Sequence, residues 1–316
     1  MIMNSKIPIG ISSCLLGEAV RFDGGHKRDA YIVGTLSQYF EFRAFCPEMA
    51  IGLGVPRASI RLAKTEKGIR CIGVKNPELD VTEALINYAN QLATQIHLLC
   101  GFIVKKDSPS CGLYKVKVYD SLSATPRREG QGIFAAQLQK LYPYLPIEEE
   151  GRLGDSRLRE NFIQRIYVFY RWQQLINSGL TIAKLMQFHA QHKLMIMSHG
   201  DYQPLGRLLA TLNQDNLIQI ATDYIVQLMS LLSKIATRGQ HLNVLQHIQG
   251  YLKKQLSTDE KKELSDMFNA YHIGEIPLIV PLTLLKHHFR HYPDPYIQHS
   301  YYFQPYPQSL GLTNQL

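Results

Sequence analysis

Three short apolar runs, each leading into a cysteine, constrain this 316-residue chain more than any other feature. Residues 7–11 lead into Ser12-Ser13-Cys14, residues 40–45 into Cys46-Pro47-Glu48, and Gly101-Phe102-Ile103-Val104 into Lys105-Lys106-Asp107-Ser108-Pro109-Ser110-Cys111-Gly112. Apolar runs of this length, bounded by Gly, Pro and Ser, read as buried strands. If the three strands are parallel neighbours, their thiols meet at one carboxyl edge, where open α/β sheets bind ligands. Three thiols without a fourth suggest a metal centre with one open coordination position, and an open position does chemistry.

The surrounding pattern extends this reading. Residues 30–39 look like a first helix. Residues 59–63 and 70–74, separated by Glu66-Lys67-Gly68, suggest a hairpin on the edge of the sheet. A helix is expected from Asp80 to about Leu99, with Asp80 as N-cap and Glu83 as its capping-box partner. Residues 102–105 read as the central strand and residues 114–118 as one more. Strand and helix alternate, which predicts a mainly parallel, three-layer α/β sheet. The prolines at 143 and 146 and the acidic trio Glu148-Glu149-Glu150 read as a solvated linker without chemistry.

Beyond the linker the pattern is helical, starting with residues 157–177 capped by Asp155-Ser156, with Ile163, Ile166, Tyr167, Tyr170 and Gln174 on its inner face. Further helices are expected over 181–197, 202–213, 215–237, 241–256, 259–272 and 281–290. From Tyr292 the tail is too rich in proline for a helix and should pack as an extended aromatic strap. The expected organisation is an α/β domain over residues 1–147 followed by an all-α domain over 148–316.

Composition limits the function classes. No apolar stretch is long enough to span a bilayer. The start, with Lys6 and Pro8 in a broken apolar run, does not read as a secretory signal. Five scattered cysteines, an odd number, argue for a reducing compartment, so a cytoplasmic location is expected. Residues 1–155 carry a net charge of +3 and residues 156–316 carry +5, out of +8 overall. That excess fits a nucleic-acid partner and fits a basic soluble enzyme about equally well.

Several motifs together resemble the thiouracil desulfidase (TudS) family: Ser12-Ser13-Cys14-Leu15-Leu16-Gly17, Phe22-Asp23-Gly24-Gly25, Cys46-Pro47-Glu48 and Lys106-Asp107-Ser108-Pro109-Ser110-Cys111-Gly112. The likeness spans about residues 7–150. It implies a 4Fe-4S cluster held by Cys14, Cys46 and Cys111, whose free iron takes sulfur from a thiolated pyrimidine. It also implies that Ser108 partners Glu48 in catalysis, and that Ser13, Asp23 and Ser110 contact substrate. Gly151-Arg152-Leu153-Gly154-Asp155-Ser156, Phe188-His189, His192-Lys193, Ser198-His199 and Leu205-Gly206-Arg207 are similar to the helical domain often fused behind that domain. The fused form is associated with 4-thiouridine in tRNA, so thiolated tRNA is the expected partner.

Each residue also has a plainer reading. A lone buried cysteine is usually a small hydrophobe, which suits Cys71 and Cys100 better than the other three. Zinc is the rival metal, but it favours closely spaced Cys pairs or a nearby His. Glu48, two residues after a thiol, is the best candidate general base; its alternative is a loop ion pair. Ser108 and Ser110 could equally be turn hydroxyls, and Asp23 a turn residue. His189, Lys193 and Arg207 form a possible phosphate-gripping face, against a default of ordinary helix surface. His189, His192 and His199 have poor spacing for a metal. The expected function is non-redox, iron–sulfur-dependent desulfidation of 4-thiouridine in tRNA. The alternatives are a desulfidase of free thiouracil or a 4-thiouridine nucleotide, and a non-catalytic iron–sulfur redox sensor that binds RNA.

Overall fold

A computed structural model describes residues 6–120 and 125–312. The chain divides into two compact units, residues 1–154 and 155–316.

In the first unit the strand and helix elements are β1 (Ile7–Ser12), α1 (Ala30–Gly34), β2 (Phe40–Phe45), α2 (Pro47–Ala50), β3 (Ile60–Thr65), β4 (Gly68–Gly73), α3 (Thr82–Gln91), α4 (Ala93–Ile96), β5 (Phe102–Val104), β6 (Val116–Tyr119), β7 (Arg127–Gly130), α5 (Ile133–Leu141) and β8 (Ile147–Glu149). One four-stranded sheet has the order β2-β1-β5-β8, and all its pairings are parallel. It is buried where a parallel sheet must be: Ile9, Ile11, Phe102, Ile103 and Val104 are wholly inaccessible. The direction of strand succession reverses between β1 and β5, which is the topological switch point of a doubly wound sheet.

The hairpin β3–β4 forms as expected but does not edge that sheet. With β6 and β7 it builds a second sheet, in the order β4-β3-β6-β7. The strand expected at 114–118 starts later, at Val116, and pairs with β3. Leu62, Cys71, Val81, Leu85, Val116 and Val118 form a separate core under this sheet. Apolar alternation reveals which face of a strand is buried but not which partner it takes, and the misassignment follows from that.

Two other expectations change. The long helix breaks at Leu92, so that α3 and α4 replace it. Asp80 does accept the Thr82 amide at 2.9 Å, but Glu83 turns to Arg70 at 2.8 Å instead of closing a capping box. The acidic trio is no solvated linker. Glu148 and Glu149 lie in β8 and are 3% and 5% exposed. Each carboxylate has partners: Glu148 accepts from Arg152, Glu149 from the Leu113 and Tyr114 amides at 2.7 and 3.0 Å, and Glu150 from the Lys106 amide at 2.7 Å and from Lys105. Buried carboxylates persist only when paired in this way.

The second unit is helical: α6 (Ser156–Asn177), α7 (Ile182–Met197), α8 (Gln203–Ala210), α9 (Leu217–Leu232), α10 (Arg238–Gly250), α11 (Thr258–Ile273), α12 (Ile279–His291) and α13 (Pro295–Gln298). Asp155 caps α6 through the Arg157 and Leu158 amides. The buried face of α6 is broader than the expected stripe: it carries Phe162, Ile163, Ile166, Val168, Phe169 and Trp172, while Gln174 is exposed. Trp172, Phe188 and Tyr224 pack as an aromatic cluster. The tail is not fully extended. Asp294 caps the short helix α13, whose Pro295 sits at a first-turn position that tolerates proline. Beyond it, Tyr306 donates to Glu160 at 2.6 Å, and Arg171 donates to the Pro305 carbonyl. The aromatic packing expected of the strap is present, with Tyr302 and Tyr306 buried.

Candidate active site

The carboxyl ends of β1, β2 and β5 open onto one cavity of about 400 Å³. Cys14 sits in the turn after β1, Cys46 directly after β2, and Cys111 in the loop after β5, and all three line this cavity. The Ser12 hydroxyl accepts the Lys105 amide at 3.0 Å, which ties the end of β1 to the end of β5. Burial raises all three thiols: Cys14 to about 11 with Lys105 opposing, Cys111 to about 12, and Cys46 upward. Cys71 and Cys100 are also buried but do not line the cavity.

The loop holding Cys111 is tightly pinned. The Ser108 hydroxyl accepts the Ser110 and Cys111 amides at 3.3 and 3.1 Å. The Gly132 amide donates to the Gly112 carbonyl at 2.7 Å, which brings the start of α5 against the loop. A Cβ on Gly132 would stand 2.6 Å from the Ser110 carbonyl, so only glycine allows this approach. On the other side, Glu149 holds the two amides that follow Gly112.

Glu48 lies at the cavity wall. Its Oε2 takes Arg57 Nη2 at 2.6 Å and Nε at 3.1 Å, and its Oε1 accepts the Ser110 hydroxyl at 2.6 Å. Arg57 is nearly buried, with 5% side-chain exposure, and also donates to the Gly54 carbonyl at 2.8 Å. The ion pair expected of a plain loop residue is therefore real, and Glu48 still lines the cavity. The direct hydroxyl partner of Glu48 is Ser110, not Ser108 as expected. Ser108 stands one hydrogen bond further back, 2.9 Å from the Ser110 hydroxyl. Ser110 has one proton and gives it to a carboxylate that can only accept, so Ser108 must donate to Ser110. This order is invisible in the sequence, because both serines fit the same turn.

Ser13 is buried and lines the cavity. Asp23 does not line it: it is exposed, accepts the Gly25 amide at 3.0 Å, and that bond lowers its pKa. The same loop instead sends Arg21, Phe22 and Lys27 to the cavity, and Lys106 joins them from the β5 loop. Arg57 and this basic rim were missed in the sequence; an arginine nine residues after a candidate base carries no local signature.

In the helical unit, Lys193 and Arg207 are exposed, whereas His189 is half-buried with its Nδ1 3.1 Å from the Tyr224 hydroxyl. Burial and Lys193 both lower the His189 pKa. His192 and His199 are buried and bonded to backbone carbonyls. Among the described residues, no three His, Cys, Asp or Glu side chains stand close enough to hold a single ion. Three thiols spread around one cavity suit a polynuclear group, in which each thiolate takes a different metal atom. Among the described residues no helix is long and apolar enough to cross a membrane.

Comparison with known proteins agrees with this division. Residues 9–150 match the family described as 2-thiouracil desulfurase, and residues 193–307 match a family of unknown function, DUF1722. The uncharacterized protein YbgA of Escherichia coli (strain K12) is 31% identical over 162 residues, which is 50% of this chain and 96% of that protein. A solved structure of a [4Fe-4S]-dependent thiouracil desulfidase, TudS, aligns with 48% of this chain and 95% of its own at 28% identity, with a TM-score of 0.37. With a desulfurase match across the unit that bears the three thiols and a relative covered almost from end to end, this chain is an enzyme of the 2-thiouracil desulfurase family, fused to a helical DUF1722 domain.

Proposed function

We propose that the protein removes sulfur from 4-thiouridine in tRNA, leaving uridine, by a hydrolytic step that changes no oxidation state. The observation that carries the reading is the Arg57–Glu48–Ser110–Ser108 network, which stands at the wall of the cavity shared by Cys14, Cys46 and Cys111. The overall change is a thiocarbonyl plus water giving a carbonyl plus hydrogen sulfide. The three thiols are the residues that would hold a 4Fe-4S cluster, whose iron without a protein ligand supplies a soft Lewis acid for thiocarbonyl sulfur.

The rest falls to the chain itself. Glu48 takes the proton of the attacking water as general base. Arg57 fixes the plane of the carboxylate through two nitrogens. The Ser110 hydroxyl, with Ser108 behind it, holds Glu48 in position, and the proton that Glu48 takes from water is the one it returns to the departing sulfur. Ser13 lines the cavity, and Asp23 shapes the loop from which Phe22 and Lys27 reach it. Lys27 and Lys106 face a substrate that carries phosphates. Lys193 and Arg207 of the helical unit add contacts to the RNA backbone, while His189, lowered in pKa, contributes less charge.

The test is Glu48→Gln, assayed anaerobically with thiolated tRNA, 4-thio-UMP and 2-thiouracil. Loss of a general base is expected to cost about 10²–10⁴-fold in rate with iron content unchanged. A redox sensor would be indifferent to this substitution. Equal turnover of free 4-thio-UMP and tRNA by the wild-type enzyme would assign the site to a free nucleotide.

A further inference from the structure

The helical unit contains a cavity of its own, about 560 Å³, which the desulfidation chemistry does not use. It lies between the first turns of α6 and α10, and its volume is in the range of small-molecule sites. Arg157 and Arg238 line it, one from each first turn, together with His199, His241 and Tyr271. Arg157 is exposed and has no acidic partner among the described residues, while Arg238 is held by the Tyr271 carbonyl at 3.2 Å, with its guanidinium 5.8 Å from the Tyr271 ring centre.

The independent sign of a ligand is His199. It is 4% exposed, and its Nδ1 is 2.9 Å from the Met195 carbonyl. A carbonyl only accepts, so Nδ1 carries the proton and Nε2 holds a bare lone pair. That Nε2 makes no hydrogen bond in the described structure, on a ring that lines the cavity. His241 also lines the cavity, with Nδ1 2.8 Å from the Tyr302 hydroxyl. The one carboxylate on the wall, Glu160, is turned to the Tyr306 hydroxyl, and burial raises its pKa.

We infer that this cavity binds a phosphate monoester. Two guanidiniums supply the charge and fork geometry that phosphate oxygens take. The N-terminus of α10 is closed by the Thr237–Gln240 capping box, so the charge that would hold the anion comes from the two arginines. A bare imidazole nitrogen needs a donor, and the ribose hydroxyls of a nucleotide monoester supply one. Inorganic phosphate and carboxylates lack the organic part that Tyr271 and the apolar Ile235 and Leu278 would cover. The monoester could belong to a free nucleoside monophosphate or to the 5′ end of an RNA.

The experiment uses the full chain. Uridine 5′-monophosphate, uridine, and tRNA transcripts with a 5′-phosphate or a 5′-hydroxyl are titrated while the imidazole nitrogen resonances of His199 are followed. The phosphate-bearing probes should shift the His199 Nε2 resonance, and uridine should not. A shift with the nucleotide marks a small-molecule site. A shift only with 5′-phosphorylated RNA marks an RNA-end site. Arg157→Ala, at an exposed position outside the catalytic cavity, should weaken that binding about tenfold or more, and Arg157→Lys should restore part of it. Desulfidation of 2-thiouracil by Arg157→Ala should equal the wild type. If no phosphate-bearing probe moves His199, or if Arg157→Ala binds as tightly as the wild type, the assignment is overturned. The readout is binding, so it stands whether or not tRNA proves to be the desulfidation substrate.

Discussion

Replacing Glu149 by alanine should loosen the loop that carries Cys111 without touching the cavity itself. Glu149 is 5% exposed, and one of its oxygens accepts both the Leu113 and Tyr114 amides, at 2.7 and 3.0 Å. A hydrogen bond to a charged group contributes about 1.5–3 kcal/mol, so the pair is worth about 3–6 kcal/mol. That is a large share of the 5–15 kcal/mol typical of a whole domain. At the lower end, about 3 kcal/mol corresponds to roughly 150-fold, because about 1.4 kcal/mol is tenfold. Amide hydrogen exchange at Leu113 and Tyr114 should therefore speed up by at least about that factor in Glu149→Ala, because local opening sets the rate. Glu149→Gln keeps an acceptor but loses the charge, and should cost about 2 kcal/mol. Iron retained after anaerobic purification should fall in the same order, wild type, Gln, then Ala. Unchanged protection of both amides in Glu149→Ala would show that the carboxylate does not hold the loop.

Three further outcomes are expected. Alanine at Cys14, Cys46 or Cys111 should abolish bound iron and sulfide on anaerobic quantification, whereas alanine at Cys71 or Cys100 should preserve both and cost only packing; normal iron in any of the first three would break the assignment of ligands. Gly132→Ala should drive α5 off the Cys111 loop, costing about 1–3 kcal/mol in urea denaturation and lowering iron content, since its Cβ meets backbone atoms that cannot turn aside. The helical unit should lose stability in acid: His192 is pushed down to about 3 by burial, so the unfolded chain binds the extra proton as pH falls below about 6.5, and stability drops by up to about 1.4 kcal/mol per pH unit until the folded ring titrates near 3. His192→Phe should flatten that slope in urea midpoints taken between pH 7 and 5, and an unchanged slope would place the acid sensitivity elsewhere.

Local chemistry was legible in the sequence and partner choice was not. The three strand-then-cysteine runs, the Asp155 cap and the helices of the second half each rest on contacts within a few residues, and each is found in place. The second sheet was missed because β3, β4 and β6 alternate in the same way whichever sheet they join. The acidic trio was misread because charge predicts solvent, and only the fold brings the Leu113, Tyr114 and Lys106 amides to meet it. At the site, the three thiols and Glu48 line one cavity, and their positions after the strands are what drew attention to them in the sequence. The choice of Ser110 over Ser108, and the arrival of Arg57, depend on side-chain directions that residue order does not encode.

The switch point between β1 and β5 also governs when the site can exist. Cys14 and Cys111 come from adjacent strands whose paired residues are about ninety positions apart, Gly10 with Phe102 and Ile11 with Ile103. The outer strand β8, which carries the anchor of the Cys111 loop, is last in this unit to leave the ribosome. Such long-range parallel pairing forms slowly, after the entropy of closing a long loop has been overcome. A nascent chain that has passed Cys111 but not yet reached β8 therefore carries all three thiols without the anchor of the Cys111 loop. Whatever the three thiols hold together must wait for the completed sheet, and until then each cysteine meets oxidants on its own.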